Sequence, residues 1–539
     1  PTPWQMVVVG RGADGDGLSR CAAHRWFSHV FFYSSSRRLR LATTYFTRYS
    51  SMRTTHLYHT LIALLFPCLL SAAPRLTVVA VVDGMTEQNL ALLRPYWSKG
   101  GLRTLSEEAF QTSVSFPHIV YGGNETTATY VTGTTPMEHG YAMDYYYSRR
   151  DRMPHILLED NQVQGIGTSR QLSPRALLSP TIADEMRMLH GAQSKIYAIG
   201  IHPETTILLA GHAANACCWI DTDEQHWATS SFYPEGLPSA ADQQNISGRF
   251  GELAARWWTP RMDIPMYMYP TDSERKKSFS YLSKDILRQS PVANTLVIEL
   301  ALALQKNVQL GTGHTPDLLM LELNTITPKA TSDQIHSAEQ EDMYLWLNQD
   351  LGYLMEQLDK RIGHENYEIL LVGRPALGTS SEIMQSAQLP VQQFNVDKAA
   401  ALTSTYLMAI YGHERWVDGG FGHSIYLNRT LIEQKRLSLE TIQRQVANFL
   451  MDFEGVQLAF PQADVLTNPL FMQSLNKRSV GDVFFSLQPG WQLMANDNTT
   501  IDYIIDSQPT APLLLWSGSL RAMPSGKLSA TDVKSLVNY

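Results

Sequence analysis

Asp83 ends the run Leu76-Thr-Val-Val-Ala-Val-Val-Asp83-Gly-Met85, and a carboxylate at that point can hold a metal ion or a substrate. The run is continuous, apolar and β-branched, the pattern of a strand buried on both faces of a parallel sheet. Ligands of open α/β sheets lie beyond the carboxyl ends of the strands, which is where Asp83 stands. The same carboxylate could instead cap the helix that follows. Farther on, Thr126-Thr-Ala-Thr-Tyr-Val-Thr132-Gly-Thr-Thr-Pro136-Met-Glu-His139-Gly140 brings hydroxyls and an imidazole into one short stretch. His212 follows Gly211 in a short turn, and satisfying a backbone group accounts for it better than binding a ligand. Cys217 and Cys218 are the only cysteines after residue 73. Being adjacent, they cannot staple distant segments, so they form either a vicinal disulfide or, the reading adopted, a pair of small buried residues before Trp219.

The elements that must position these residues alternate along the chain. Glu87 to Trp97 reads as a helix, and another begins through Thr181-Ile-Ala-Asp-Glu-Met186. Lys195 to Gly200 reads as a strand, Asn294 to Gln305 as a helix and Asp317 to Leu323 as a strand. After Ser332 a long helix carries Tyr344, Leu347, Leu351, Leu354 and Leu358 at spacings of three and four, an apolar stripe for the core. Strands follow at Glu368 to Val372 and Pro512 to Trp516, the second closing the fold. Ala400 to Trp416, Ile425 to Asn428 and a helix from Leu439 to Asp452 suggest an α+β subregion beside the main sheet. Between about Asp221 and Ser290 the periodicity lapses among Trp227, Trp257, Trp258, Tyr267 and Tyr269, which predicts an inserted cap. The fold class expected is α/β, a central sheet with helices on both faces.

Composition narrows the functional classes. A 44% hydrophobic and 17% charged chain of 539 residues is an ordinary globular protein. Its formal charge is −8, and it becomes −14 without the first 73 residues, which hold eight basic and two acidic side chains. A nucleic-acid partner is therefore not expected. Met52-Arg53, the apolar run Leu61 to Leu70 and Ser71-Ala72-Ala73 have the three parts of a secretory signal peptide, too short for a comfortable membrane span. Residues 52–73 are accordingly predicted to be removed on export to the periplasm or cell envelope, which leaves no transmembrane segment. Residues 1–51 begin with Pro1 and read as translation upstream of a start at Met52. The folded domain is expected to span 74–539.

The order of strand-Asp83-Gly-Met, Thr132-Gly133-xx-Pro136-xx-His139-Gly140, Ser173-Pro-Arg, Ala210-Gly-His212 and Lys477-Arg-Ser-Val-Gly481-Asp482-Val resembles the alkaline phosphatase superfamily. It is most similar to exported PafA-like phosphomonoesterases and, more distantly, to type I phosphodiesterase/nucleotide pyrophosphatases. The resemblance implies an alkaline phosphatase-like sheet with a cap at about 221–290. It also implies two zinc ions held by six side chains and a Thr or Ser nucleophile attacking phosphorus in line. Asp83 matches the first ligand. The nucleophile position, nine residues before Thr132, is Gly123, with Asn124, Thr126 and Thr127 close by. The expected Asp-x-x-x-His pair falls on Thr327 and Thr331, and the Asp-His dipeptide on Arg374-Pro375, or Pro375-Ala376 if shifted. The last histidine belongs near Ile501, yet none occurs between Met494 and Trp516. Asp144 replaces a phosphate-binding asparagine, and His202-Pro-Glu204 replaces a Lys-x-Arg clamp, which would repel a dianionic phosphate.

The function these residues imply is that of a catalytically degenerate pseudoenzyme that acts as a binding or assembly partner for an unknown protein or small-molecule ligand. Its candidate cleft comprises Asp83, Gly123, Asn124, Thr126, Thr127, Asp144, His202 and Glu204. No catalytic residue and no bound cofactor are expected, and Asp83 is at most a vestigial metal ligand. The alternative is a working metal-dependent hydrolase with the ligand set Asp83, Asp144, His139 and His202.

Overall fold

The computed structural model describes residues 73–121, 123–255, 258–269, 284–327, 337–375, 391–488, 490–494, 509–519 and 523–539, together with 279, 335, 388 and 521. The expected leader and the stretch before it lie outside these residues, apart from Ala73. Ten strands form the central sheet: β1 (Leu76–Asp83), β2 (Phe110–Ser115), β3 (Gly165–Ile166), β4 (Ile196–Gly200), β5 (Ala216–Asp221), β6 (His226–Ser230), β7 (Asp317–Asn324), β8 (Tyr367–Arg374), β9 (Thr510–Ser517) and β10 (Leu528–Ser529). Their order across the sheet is β10-β2-β9-β8-β1-β7-β4-β5-β6-β3. From β8 to β5 neighbouring strands are parallel, and antiparallel β9 and β6 follow on either side.

Five helices matter for the site: α1 (Asn124–Thr132), α2 (Pro136–His139), α3 (Pro203–Ala210), α4 (Pro291–Val308) and α5 (Ala338–Ile362). β1 lies between β8 and β7, and every residue from Leu76 to Val82 is buried. Alternate side chains enter two cores. Val78, Ala80 and Val82 pack with residues of α4 and α5, while Val79 and Val81 pack with residues of α1 and α3. Each fully buried Val or Leu contributes about 1.5–3 kcal/mol, so the two-sided apolar run fixes β1 at the centre. The stripe Tyr344, Leu347, Leu351, Leu354 and Leu358 is buried as its spacing implied, and α5 starts at Ala338 behind the cap Ser337, whose side chain accepts from Gln340 N–H. The α/β class with helices on both faces is the fold observed.

Regular structure continues past Asp221, which corrects the expected lapse from that residue. β6 extends the central sheet, and helices Ser239–Ile246 and Arg249–Ala254 follow. The local pattern was hidden because β6 has only five residues and is held from outside: Asn245 Oδ1 accepts from Trp227 N–H at 2.7 Å, and Gln244 Oε1 accepts from Trp227 Nε1 at 2.7 Å. Trp227 is therefore a sheet residue in the core. Residues 258–269 are bound to the first two turns of α5. Asp342 accepts from Trp258 Nε1 at 2.6 Å, Arg261 N at 2.8 Å and the Tyr267 hydroxyl at 2.6 Å. Glu341 accepts from Tyr269 N at 2.8 Å. Trp257 lies outside the described residues.

The α+β subregion has its own four-stranded sheet in the order Val417–Phe421, Ser424–Leu427, Val483–Leu487, Val456–Pro461. Helices Val396–Tyr411 and Leu439–Leu450 share its core with Trp416, Ile425 and Phe485. Asp482, fully buried, joins it to the rest. Its carboxylate accepts from Leu427 N at 2.6 Å and Arg429 Nε at 2.7 Å, and it pairs with Arg149 Nη2 at 2.8 Å. Cys217 and Cys218 are free, buried, and packed in opposite cores of the central sheet, in keeping with small apolar residues. Among the described residues no helix is long and apolar enough to cross a membrane.

Candidate functional site

Strand register sets the first contact. β1 pairs with β8 so that Asp83 lies beside Arg374, and with β7 so that Asp83 lies beside Asn324. Paired residues of parallel strands project to one face, so carboxylate and guanidinium meet. Arg374 Nε donates to Asp83 Oδ1 at 3.0 Å and Nη2 to Oδ2 at 2.5 Å, the two-pronged geometry that suits a planar guanidinium. Its remaining nitrogen, Nη1, donates to Asn124 Oδ1 at 2.6 Å and to Thr205 Oγ1 at 2.8 Å. Arg374 is 7% exposed. Burial works against its charge, but the charge and hydrogen bonds of Asp83, followed by the charges of Glu322 and Asp144, hold it firmly protonated.

Asn124 and Thr205 are positioned by the first turns of α1 and α3. Thr205 Oγ1 donates to Asn124 Oδ1 at 2.8 Å, and Asn124 Nδ2 donates to Asp144 Oδ1 at 2.9 Å. The Tyr141 hydroxyl reaches the same Asp144 oxygen at 2.6 Å. Burial raises the Asp144 carboxyl above the usual range, against the lowering effect of the Tyr141 and Asn124 bonds. An unbroken chain of hydrogen bonds thus runs from Asp83 through Arg374 and Asn124 to Tyr141.

A second cluster adjoins the first on the same face. Glu322, 1% exposed on β7, accepts from Ile201 N at 2.9 Å, His202 N at 2.8 Å and His202 Nδ1 at 2.8 Å. A carboxylate can only accept, so the imidazole donates from Nδ1 and turns Nε2 away from Glu322. Burial pushes the Glu322 carboxyl upward, but the charge and hydrogen bonds of His202, with the charge of Arg374, bring it down to about 2. Gly200 makes room for it: a Cβ there would lie 2.6 Å from Glu322 Oε2 and 2.1 Å from Thr206 Oγ1. Glu204 is paired with Arg170 Nη2 at 2.5 Å. The pair answers part of its charge, and the remainder still pushes the Asp144 carboxyl upward.

Of the expected cleft residues, Asp83, Asn124 and Asp144 share the first network, and His202 and Glu204 stand beside it. Asp83 does not cap the next helix. Thr86 does, accepting from Asn89 N–H. Gly123 has φ +91°, and a Cβ added there would lie 3.7 Å from Arg374 Cδ and Nε, so the vacant side-chain position faces the guanidinium. Thr126 turns back to the Gly123 carbonyl, and Thr127 is fully buried with its hydroxyl unpartnered. Thr327 is likewise buried, and its hydroxyl has no partner among the described residues. Thr331, Ala376 and Ile501 lie outside the described residues. His212 pairs through Nδ1 with Asp184 at 2.9 Å, so its partner is a side chain as well as backbone.

His139 does not join Asp83, which breaks the alternative ligand set. Fully buried, its Nδ1 accepts from Tyr141 N–H at 3.2 Å and its Nε2 lies 3.3 Å from Thr129 Oγ1, which also contacts His118 Nε2 at 2.8 Å. Burial lowers His139 to about 3, helped by His118, and lowers His118 to about 4 despite its bond to the Ile119 carbonyl. The unfolded chain takes up these protons near 6.5 and the folded chain only near 4 and 3, so acid favours unfolding. Urea titrations are expected to show stability falling from about pH 6.5 toward pH 4, by up to about 1.4 kcal/mol per pH unit for each proton. A midpoint that is flat over this range in wild type would contradict the buried neutral pair.

The donor set does not match a two-zinc centre. Among the described residues no three His, Cys, Asp or Glu side chains converge to hold a metal, and both oxygens of Asp83 are taken by Arg374. Sequence order placed Arg374 at a ligand position without making it part of the cleft, and it did not single out Glu322, Thr205, Tyr141 or Arg170. The one charge inside Leu319-Met-Leu-Glu-Leu323 was the available signal for Glu322.

A family model described as type I phosphodiesterase / nucleotide pyrophosphatase matches residues 77–512. Alkaline phosphatase PafA of Elizabethkingia meningoseptica is 26% identical over 398 residues, 69% of this chain and 72% of that protein. Alkaline phosphatase PhoV of Synechococcus elongatus is 23% identical over 454 residues, 78% of this chain and 81% of that protein. The crystal structure of wild-type alkaline phosphatase PafA superposes with a TM-score of 0.74 at 22% identity, covering 86% of this chain and 96% of that one, a likeness of fold.

Proposed function

The chain belongs to the type I phosphodiesterase / nucleotide pyrophosphatase family within the alkaline phosphatase superfamily, and from that premise we propose that it is an exported member without phosphoryl-transfer chemistry. It works by binding a protein or small molecule at the former cleft. The observation that carries this reading is the Arg374 guanidinium seated on Asp83 and facing Gly123. In-line attack needs a nucleophile and cations that stabilise the attacking and leaving oxygens. Here the nucleophile position has no side chain, and the nearest cation already uses its three nitrogens on Asp83, Asn124 and Thr205. Export is supported by the three-part segment Met52 to Ala73.

One preparation tests the whole reading. The purified chain, recovered from the cell envelope, is expected to begin near Ala73, to carry far less than one zinc by mass spectrometry, and to hydrolyse phosphomonoesters and phosphodiesters no faster than Asp83→Ala. Gly123→Thr is expected to restore no turnover and to cost about 1–3 kcal/mol, since φ +91° strains any residue with a Cβ. Stoichiometric zinc with turnover abolished by Asp83→Ala would reverse the assignment.

A further inference from the structure

The position and bonding of Arg374 give it a role that goes deeper than blocking a site. Its guanidinium joins four separate elements: it extends from the end of β8, bonds both oxygens of Asp83 on β1, and reaches Asn124 at the start of α1 and Thr205 on α3. It is also the positive charge shared by Asp83, Glu322 and Asp144. Two carboxylates on one face of the sheet, Asp83 and Glu322, with Asp144 in the loop beyond them, would repel one another in a partly dry cleft, and each would have to protonate or find a counter-charge. His202 serves Glu322 from one side, but Asp83 has no cationic partner in the described cleft besides Arg374. The ends of α1 and α3 that face this cluster are N-terminal and carry partial positive charge. A guanidinium can sit there only because the carboxylates outweigh them.

We infer that Arg374 is a permanent internal cation, covalently part of the chain, that does structurally what a bound ion does in an ion-holding cleft. It discharges the carboxylates and ties β1, β8, α1 and α3 together, so that the fold is independent of divalent metal and the cleft accepts no dication while Arg374 is in place. This deepens the binding-protein reading, yet it can fail separately, because its readouts are melting temperature and charge coupling and do not involve turnover.

The test is a double-mutant cycle on the full chain with Arg374→Met, Asp83→Asn and both together, plus Arg374→Lys. Wild type is expected to melt within about 1 °C of the same temperature in EDTA, zinc chloride or calcium chloride, since a metal that binds only the folded state would raise it. Arg374→Met, which leaves the half-buried Asp83 unpaired, is expected to lose on the order of 10 °C. Adding Asp83→Asn is expected to recover roughly half of that loss or more, because the stranded charge has gone. Arg374→Lys keeps the charge but not the fork and is expected to fall between wild type and Arg374→Met. If Arg374→Met does not fold, the double variant and Arg374→Lys decide the matter by folding. Wild type that melts many degrees lower in EDTA, or losses from Arg374→Met and Asp83→Asn that simply add, would overturn the inference.

Discussion

Asp482→Ala is expected to destabilise the chain by about 2–4 kcal/mol, measured as a fall in the urea midpoint with an unchanged slope. The carboxylate is fully buried and serves four donors: Leu427 N, Arg429 Nε, Arg149 Nη2 and, at 3.3 Å, Gln443 Nε2. The two arginines are 33% and 41% exposed, so they regain water when their partner is removed and contribute little to the loss. Most of the cost comes from the Leu427 N–H and the Gln443 amide, which are left in a dry place. Asp482→Asn, which keeps an acceptor for Leu427, should lose about half as much. A loss under about 1 kcal/mol for the alanine variant would mean that the subregion is held by its apolar core alone. Amide exchange should distinguish the two cases, because Leu427 N–H is protected only while its acceptor remains.

The second large effect belongs to Glu322. Its folded pKa of about 2 lies below the 4.5 of an ordinary glutamate. A depressed carboxylate stabilises the fold above the unfolded value and loses that contribution as pH falls from about 4.5 through about 2. The displacement corresponds to about 3 kcal/mol at neutral pH. Glu322→Gln is therefore expected to cost about that much at pH 7, since an amide offers one acceptor oxygen where Ile201 N, His202 N and His202 Nδ1 now find two. The gap between wild type and variant should narrow steadily below about pH 4.5. A gap that stays constant down to pH 3 would show that Glu322 contributes packing and not charge.

The fold was readable because its signals are local and strong. The β1 run, the α5 stripe and the strands at Asp317 and Tyr367 are each defined by the apolar period of their own residues. β2 was not readable: Phe110–Ser115 is mostly polar or half-buried, and it becomes a strand by pairing with β9 and β10. The site was legible as a set of substitutions and illegible as an arrangement. Sequence order identified Gly123, Asp144, His202 and Arg374 as unusual occupants of their positions. Only the register that sets Asp83 beside Arg374 reveals that Arg374 bonds Asp83, Asn124 and Thr205. Glu322 escaped notice for the opposite reason, because a single acid within an apolar strand has no spacing to read.

The order of strands in the central sheet has a consequence for biosynthesis. Leu76 pairs with Asp317 and Tyr367, and Phe110 with Leu515, so the earliest apolar strand waits for partners made hundreds of residues later. At roughly 5–20 residues per second on the ribosome, β8 emerges some tens of seconds after β1. Until then a sticky, unpaired ribbon is available to neighbouring chains. Slow folding is the price of so non-local a topology, and chaperones that shelter nascent β1 should raise the yield of this protein more than any change to its cleft.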